Sequence, residues 1–145
     1  MTAVKKEPEI AYSVKDELQN DEVKSLWKSS GFLRYNPDFD WAELPTLLSA
    51  TDIIVAARHG GRLVGMTRAV TDYCMYCCLI DIMVDEEYSR HGIGRELSRL
   101  TRESAGKNVW LVAMAQDSVA GFYRRSGFSR VEGGWSAWIL TPPQD

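Results

Sequence analysis

Two glycines and several basic side chains lie close together in residues 87–97, EYSRHGIGREL. Just before the glycines, residues 79–85 (LIDIMVD) form a short apolar run bounded by charges, which predicts a buried strand. Just after them, Ile93, Leu97 and Leu100 have the spacing of one helical stripe. A helix that begins at such a turn presents unpaired backbone N–H groups and the positive end of its dipole. The chemistry predicted for this segment is the binding of an anion.

Three kinds of anion site use a glycine turn at the start of a helix. A P-loop requires GxxxxGK[ST], which is absent from the sequence. A dinucleotide site requires GxGxxG, and here Leu97 occupies the position of the third glycine. The remaining solution is a turn whose backbone amides bind a pyrophosphate while an extended cofactor tail runs along the preceding strand.

The rest of the chain supplies the elements that must position this segment. Apolar periodicity and turn residues predict, in chain order, a strand at 9–15, a helix at 20–29, a short helix near 40–49, a hairpin of 52–57 and 62–72, a strand at 75–84, a strand at 109–115, a helix from Asp117 or Ser118 to Gly127, and a last strand at 135–140. The helix after the glycines can end at Gly106. This order predicts a mixed sheet with helices on its faces.

Length and composition predict a single domain over residues 1–145. With 45% hydrophobic and 26% charged residues, the composition is typical of a soluble globular protein. The first ten residues lack the apolar stretch of a signal peptide, and no segment approaches the ~18 apolar residues of a membrane span. We therefore expect a cytoplasmic protein that has no membrane partner.

Charge is distributed unevenly along the chain. The formal net charge of −3 argues against a nucleic-acid partner. Residues 1–88 carry 9 Lys or Arg and 15 Asp or Glu, whereas residues 89–130 carry 8 and 3. The later part of the chain therefore suits an anionic ligand, and the earlier part suits a cationic one. The alternative is that these are solvated charges scattered by chance.

Three cysteines, Cys74, Cys77 and Cys78, lie together in a segment that is predicted to be a strand. Their CxxC spacing resembles a zinc or redox site, but no second pair of ligands follows, and the odd number argues against a set of disulfides. The sequence favours buried, reduced cysteines and no metal site.

An aromatic loop follows the first predicted helix. It contains Phe32, Tyr35, Phe39 and Trp41. Loops of this kind either cover a core or form the wall of a substrate site. The sequence leaves both interpretations open.

Two segments in register resemble the cofactor signatures of the GNAT (Gcn5-related) N-acetyltransferase family. Residues 89–94, SRHGIG, are similar to Gln/Arg-x-x-Gly-x-Gly/Ala after a strand, with Ser89 in place of Gln or Arg. Residues 116–128, QDSVAGFYRRSGF, are similar to the family's second segment, with Gln116 where Asn is common. The resemblance covers roughly residues 51–131, and the hairpin within it loosely resembles a subgroup that includes plant serotonin acetyltransferase-like enzymes.

The resemblance implies an α+β fold with a mixed, largely antiparallel sheet of six to seven strands flanked by helices. It also implies that acetyl-CoA binds with its pantetheine along the backbone of the strand and its pyrophosphate at 90–95, where the hydroxyl of Ser89 can face a phosphate. The implied cofactor-binding residues are Ile82, Met83, Val84, Ser89, Arg90, His91, Gly92, Ile93, Gly94, Arg95, Gln116 and Tyr123. A homodimer is implied as well.

Direct transfer to an amine would require two catalytic groups. An alkyl amine with a pKa of ~10.4 costs about 4–5 kcal/mol to deprotonate at neutral pH, so a base is needed. Asp81 is a candidate because a carboxylate in an apolar run must be paired or lie in a solvated cleft, and by alternation it shares a face with Leu79 and Met83. The alternative is a structural Asp81 bonded to the backbone or to an arginine.

Tyr123 is the candidate acid for the departing thiolate, because the resemblance places it where many family members use a tyrosine. A hydrogen bond from the phenol to the sulfur is equally compatible with this position. The resulting prediction is an acetyl-CoA-dependent N-acetyltransferase acting on a small, cationic or aromatic primary amine. The alternatives are a protein or peptide N-acetyltransferase, a non-catalytic acyl-CoA-binding module, and a nucleotide-binding protein.

Overall fold

The computed structural model describes residues 4–14, 16–115 and 117–131, which belong to two compact units, Met1–Met114 and Ala115–Asp145. The described part of the first unit contains one five-stranded sheet, in the order β1-β2-β3-β4-β5. The strands are β1 (Ala11–Ser13), β2 (Ile53–His59), β3 (Arg62–Thr71), β4 (Tyr76–Val84) and β5 (Trp110–Ala113).

The sheet is mixed and largely antiparallel, as predicted. Strands β1 to β4 pair antiparallel with their neighbours, and β5 pairs parallel to β4. The parallel pairing requires a crossover, which the helix after the glycines provides. The predicted last strand, 135–140, lies outside the described residues.

Among the described residues, the α-helices of the first unit are α1 (Asn20–Ser29), α2 (Leu44–Ser49) and α3 (Ile93–Ala105), and that of the second is α4 (Ala120–Arg125). The capping box between Gln19 and Glu22 explains why α1 begins where it does. Gly106, with φ +114°, ends α3 because few other residues adopt that conformation easily.

Each face of the sheet carries its own hydrophobic core. Leu97 of α3 packs with Val55 and Val64 in one cluster, and Trp27 of α1 packs with Met66 in the other. Strands β2 and β3 are therefore buried on both sides, which explains their nearly continuous apolar runs.

The aromatic loop packs into the core on the α1 face. The ring of Trp27 lies 4.8 Å from Phe32, 4.9 Å from Phe39 and 5.3 Å from Trp41, measured between ring centroids. Tyr35 is 59% exposed. The structure therefore indicates that Phe32, Phe39 and Trp41 cover the hydrophobic core and do not form the wall of a substrate site.

Strand β4 contains one extra residue relative to β3. Arg68 pairs with Asp81 but Ala69 pairs with Leu79, so Ile80 has no partner on β3. Such a bulge reverses the face on which the following side chains lie. The prediction that Asp81 shares a face with Leu79 is therefore wrong. Leu79 pairs with Ala69 of the α3-side core, whereas Asp81 shares its face with Met83 of the α1-side core.

Only one of the three cysteines is buried. Cys77 is fully buried, whereas Cys74 and Cys78 are exposed, so the prediction that all three are buried is wrong. Cys78 is exposed because its strand alternates between the core and an open face. No group of His, Cys, Asp and Glu in the described ranges has the arrangement of a metal site. Among the same residues, no helix is both long enough and apolar enough to span a membrane.

Candidate functional site

The glycine turn, residues 89–95, connects a short 3-10 turn (Glu86–Tyr88) to α3. Arg90 has φ +66° and Gly92, the N-cap residue, has φ +73°, so two residues adopt a left-handed conformation before the helix begins. The N–H groups of Ile93, Gly94 and Arg95 have no acceptor inside the helix, because they belong to its first turn. Such a turn can hold an anion through its backbone amides and the helix dipole.

The start of α3 lies unusually close to the sheet. A Cβ atom on Gly65 of β3 would lie 3.1 Å from Ile93 Cγ2 and 3.1 Å from Leu97 Cδ1. Ile93 is 2% exposed and Leu97 is fully buried. The close packing of α3 against Gly65 therefore fixes the distance between the glycine turn and β3.

A buried carboxylate holds the chain between β4 and the glycine turn. Asp85 is 1% exposed, its Oδ1 accepts the N–H of Glu87 at 2.9 Å, and its Oδ2 accepts Arg62 Nη2 at 2.7 Å. Its own N–H donates to the carbonyl of Val64 at 2.8 Å. These bonds fix the direction in which the chain leaves β4.

Two surface contacts tie the same segment to other loops. The hydroxyl of Tyr88 lies 2.6 Å from Nδ1 of His59, the last residue of β2. Glu86 pairs with Arg34 at 3.1 Å, although both side chains are more than half exposed and the pair contributes little to stability. The glycine turn is thus approached by a segment that is restrained along its length.

The last part of β4 has an edge that no other described strand covers. It pairs with β5 only from Tyr76 to Leu79, and the pairing with β3 continues to Val84. Within the described ranges, no strand pairs with the β5-side edge of Ile82, Met83 or Val84. The backbone groups on such an edge can bind an extended ligand as an added strand would.

Asp81 forms a buried ion pair at the bulge where β4 and β5 part. Its Oδ2 accepts Arg68 Nε at 2.5 Å, and the exposed fractions of the two side chains are 6% and 11%. Burial raises the pKa of Asp81, and the Arg68 guanidinium opposes the rise. The structure therefore contains the arginine contact that the structural interpretation of Asp81 predicts. In sequence, Asp81 directly precedes the 82–84 segment, which β5 does not pair.

Two of the polar residues in the glycine turn already have partners. The Ser89 hydroxyl donates to the carbonyl of Glu86 at 2.9 Å. His91 Nδ1 lies 2.6 Å from a carboxylate oxygen of Glu7, a residue of the N-terminal arm. The single hydroxyl hydrogen of Ser89 is thus engaged by a neighbouring carbonyl, and contact of Ser89 with a phosphate stays a prediction.

Tyr123 belongs to the second unit. It lies in α4, half buried, and its ring is 5.3 Å from those of Phe122 and Phe128. The N–H of Phe128 donates to the Tyr123 carbonyl at 2.9 Å, and Gly127, with φ +90°, ends the helix. Gln116 lies outside the described residues.

The structure thus brings Asp81, the 82–84 edge and the glycine turn together within one unit. Sequence reasoning missed Arg68, Asp85 and Glu7, all of which contact residues of this region. Arg68 could have been identified from the sequence, because an arginine inside the apolar run of β3 requires a buried partner of opposite charge. The contact of Glu7 could not have been predicted from the sequence, since its partner is 84 positions away.

Comparisons with known protein families and with individual proteins all find acetyltransferases. The profile of the Acetyltransferase (GNAT) family matches residues 16–128. GCN5-related N-acetyltransferase 2, chloroplastic, of Arabidopsis thaliana is 33% identical over 69 residues, and histone acetyltransferase TAP1 of Glycine max is 35% identical over 69 residues. These alignments cover 46% of this chain but only 27% and 30% of the two relatives.

The fold matches solved structures over most of its length. A GNAT family protein from Streptococcus pneumoniae superimposes with a TM-score of 0.69 at 23% identity. The match covers 91% of this chain and 98% of that one.

Proposed function

Because this chain belongs to the GNAT acetyltransferase family, we propose that it transfers the acetyl group of acetyl-CoA directly to the primary amine of a small molecule. The observation that carries the proposal is the position of the glycine turn directly beyond the free edge of β4. The glycine turn can bind phosphates, and the adjacent edge of β4 can bind an extended chain. A nucleotide with a long amide-containing tail requires both sites next to each other.

The residues of this region fit that cosubstrate. The backbone of Ile82, Met83 and Val84 pairs with the pantetheine amides, and the first N–H groups of α3 hold the pyrophosphate. Arg90 and Arg95 are exposed on the turn and add positive charge. When bound, acetyl-CoA supplies a thioester carbonyl that an amine can attack.

Two side chains handle the protons of the transfer. As the bond from nitrogen to the carbonyl carbon forms and the carbon–sulfur bond breaks, Asp81 accepts the proton that the amine loses. Tyr123 donates a proton, or a hydrogen bond, to the departing sulfur. The Arg68 contact holds the Asp81 carboxylate in one orientation, which a base requires.

The acceptor is proposed to be a small cationic or aromatic amine. The excess of acidic residues in positions 1–88 attracts a cation to the unit that contains Asp81. The printed name of the Glycine max relative raises a second candidate, a lysine of a protein such as a histone. Both acceptors undergo the same chemistry.

The test is calorimetric titration with acetyl-CoA, CoA, ATP and NAD, followed by thiol release over a panel of amines that includes tryptamine, serotonin, polyamines, amino sugars and histone-tail peptides. We expect binding of both CoA forms and thiol release with a small amine. Tyr123→Phe should lower kcat about 10²-fold without changing acetyl-CoA affinity. Tyr76→Phe, a change at an exposed tyrosine on β4, is the matched control and should alter neither.

Other outcomes would identify the alternatives. Thiol release with peptides alone would identify an amine of a protein as the acceptor. Binding of acetyl-CoA without release on any acceptor would favour a non-catalytic acyl-CoA-binding module. Preference for ATP or NAD over CoA would refute the proposal.

A further inference from the structure

A cavity of about 410 Å³ lies between the segment that precedes α1 and the helix α2. Its apolar walls include Leu18, Leu48 and Ile54, which are partly buried and pack against the α1-side core. The remaining described residues that line it are Asp16, Glu17, Gln19, Asn20, Pro45 and Ser49. A volume of ~300–1,000 Å³ with apolar walls and a few polar groups is typical of a small-molecule site.

The polar side of this cavity is acidic. Glu17 is exposed and forms no ion pair within the described ranges, whereas Asp16 accepts Arg58 Nε at 2.6 Å. No Lys, Arg or His is among the described residues that line the cavity. A carboxylate beside apolar walls is complementary to a ligand that has an ammonium group and an apolar body.

The cavity is separate from the site of acetyl transfer. Ile54 is the cross-strand partner of Arg68, and Arg68 is the cross-strand partner of Asp81. Because neighbouring strands lie about 4.8 Å apart, the backbone of Ile54 is roughly 10 Å from that of Asp81. The Arg68 side chain lies between them, so an amine beside Glu17 does not reach the Asp81 carboxylate.

Hydrogen bonds nevertheless connect the α2 wall of the cavity to the Asp81 ion pair. The N–H of Thr51 donates to the carbonyl of Leu48 at 3.3 Å, and Arg68 Nη1 donates to Thr51 Oγ1 at 3.0 Å. Leu48 also lines the cavity. A ligand that displaces α2 therefore also displaces a residue that holds Arg68.

We propose that this cavity is an effector site for a small primary amine with an apolar body. The ammonium group lies beside Glu17, and the apolar body packs against Leu48 and Ile54. Occupation of the site alters the Arg68–Asp81 pair through Thr51. The inference goes beyond the proposed function, because binding at this site needs neither acetyl-CoA nor turnover.

NMR spectra of the ¹⁵N-labelled protein without acetyl-CoA test the site, with tryptamine as the probe. We expect tryptamine to shift the backbone amides of 16–20 and 46–54 with saturation. The Arg68 Nε–H resonance should shift with the same dissociation constant. 3-Methylindole has the ring without the amine and should bind about fivefold more weakly, as loss of one exposed charge interaction predicts. Indole-3-propionate carries the opposite charge and should bind more weakly still.

Two variants locate the bound amine. Ser49→Phe adds a ring at an exposed position of the cavity wall and should abolish the shifts without lowering the melting temperature. Glu17→Gln removes the charge and should weaken tryptamine binding about fivefold. Glu43→Gln, the matched control, removes an equally exposed charge outside the cavity lining and should leave the affinity unchanged.

Each contrary result overturns a stated part of the inference. Shifts that are absent from the cavity, or that persist in Ser49→Phe, would show that the amine binds elsewhere. Equal affinities for the three indole compounds would overturn the preference for a cation, as would an equal loss in Glu43→Gln. Cavity shifts without a shift of Arg68 Nε–H would overturn the effector role. Failure of the proposed function is seen separately, in the titration with acetyl-CoA.

Discussion

Arg68 and Asp81 are cross-strand partners whose side chains form a buried ion pair immediately beside the extra residue of β4. Arg68 also donates from Nη1 to Thr51 Oγ1 at 3.0 Å, and Thr51 Oγ1 donates to the carbonyl of Leu47 at 2.8 Å. A chain of hydrogen bonds thus runs from α2 to the bulge. It holds the carboxylate in place at the point where β4 and β5 separate.

Asp81→Asn should destabilise the protein and lower turnover. Removing the carboxylate leaves the Arg68 guanidinium buried without a counter-charge, which predicts a loss of about 3 kcal/mol in the free energy of unfolding. Urea unfolding measures this loss. Turnover should fall about 10²-fold if the carboxylate accepts the proton of the amine.

The double variant Arg68→Met with Asp81→Leu separates stability from catalysis. Replacing both charges by apolar side chains should bring the unfolding free energy back to within about 1 kcal/mol of the wild type. A double variant that is stable and binds acetyl-CoA but shows no turnover supports the role of Asp81 as the base. Full turnover in that variant would leave Asp81 with a purely structural role.

The sequence predicted the helices near the site well, because their boundaries depend on local residues. Helix α1 runs from Asn20 to Ser29 as predicted, and α3 begins at Ile93, directly after Gly92, and ends before Gly106. Amphipathic periodicity and glycine conformations are encoded within a few residues of each boundary. The predicted glycine turn was correct for the same reason.

The bulge at Ile80 and the contacts across the sheet were not predictable in this way. Cys77, Leu79, Asp81 and Met83 alternate without interruption in the sequence, so periodicity alone indicates one face. The extra residue is visible only in the register with β3, which depends on distant residues. The partners of Asp81 and His91 depend on the tertiary fold in the same way.

Glu22→Gln should lower stability at neutral pH and leave it unchanged in strong acid. Hydrogen bonds from Arg58 at 2.8 and 2.9 Å hold the pKa of Glu22 below its ordinary value of 4.5. A lowered pKa in the folded state stabilises the protein above pH 4.5, and this contribution is lost as the pH falls through the folded-state value. The expected difference at pH 7 is about 1 kcal/mol, measured by urea unfolding across the pH range.

Glutamine is the appropriate replacement because it keeps the capping box at the start of α1. Glu103→Gln is the control, since Glu103 pairs with Arg99 on the exposed face of α3. Its effect on stability should be smaller at every pH. A Glu22→Gln difference that is constant with pH would contradict the proposed role of the ion pair.

Gly65→Ala should destabilise the first unit and weaken acetyl-CoA binding. The added methyl group would lie 3.1 Å from both Ile93 Cγ2 and Leu97 Cδ1 and 3.3 Å from the carbonyl oxygen of Met83. Relief requires α3 to move away from β3, at a cost of about 1–3 kcal/mol. Because Ile93 begins α3, the same shift displaces the N–H groups of the glycine turn. Thermal unfolding and calorimetric titration measure the two effects.

Gly121→Ala is the matched control for that change. Gly121 lies in α4, and an added Cβ would meet only the mobile end of the Arg125 side chain. Alanine in a helix should leave stability unchanged or slightly raised. Unchanged stability and affinity in Gly65→Ala would show that α3 tolerates a wider separation from the sheet than the contacts imply.

Glu7→Gln should strengthen acetyl-CoA binding. The Glu7 carboxylate contacts His91 at 2.6 Å, which places a negative charge against the turn that we assign to phosphates. Removing this charge should raise the affinity about threefold at low ionic strength, and the gain should disappear in high salt because exposed charges are screened. Glu9→Gln, two residues along the same arm, removes an equal charge and should have no effect. Weaker binding by Glu7→Gln would instead mean that Glu7 holds His91 in the position that the cosubstrate requires.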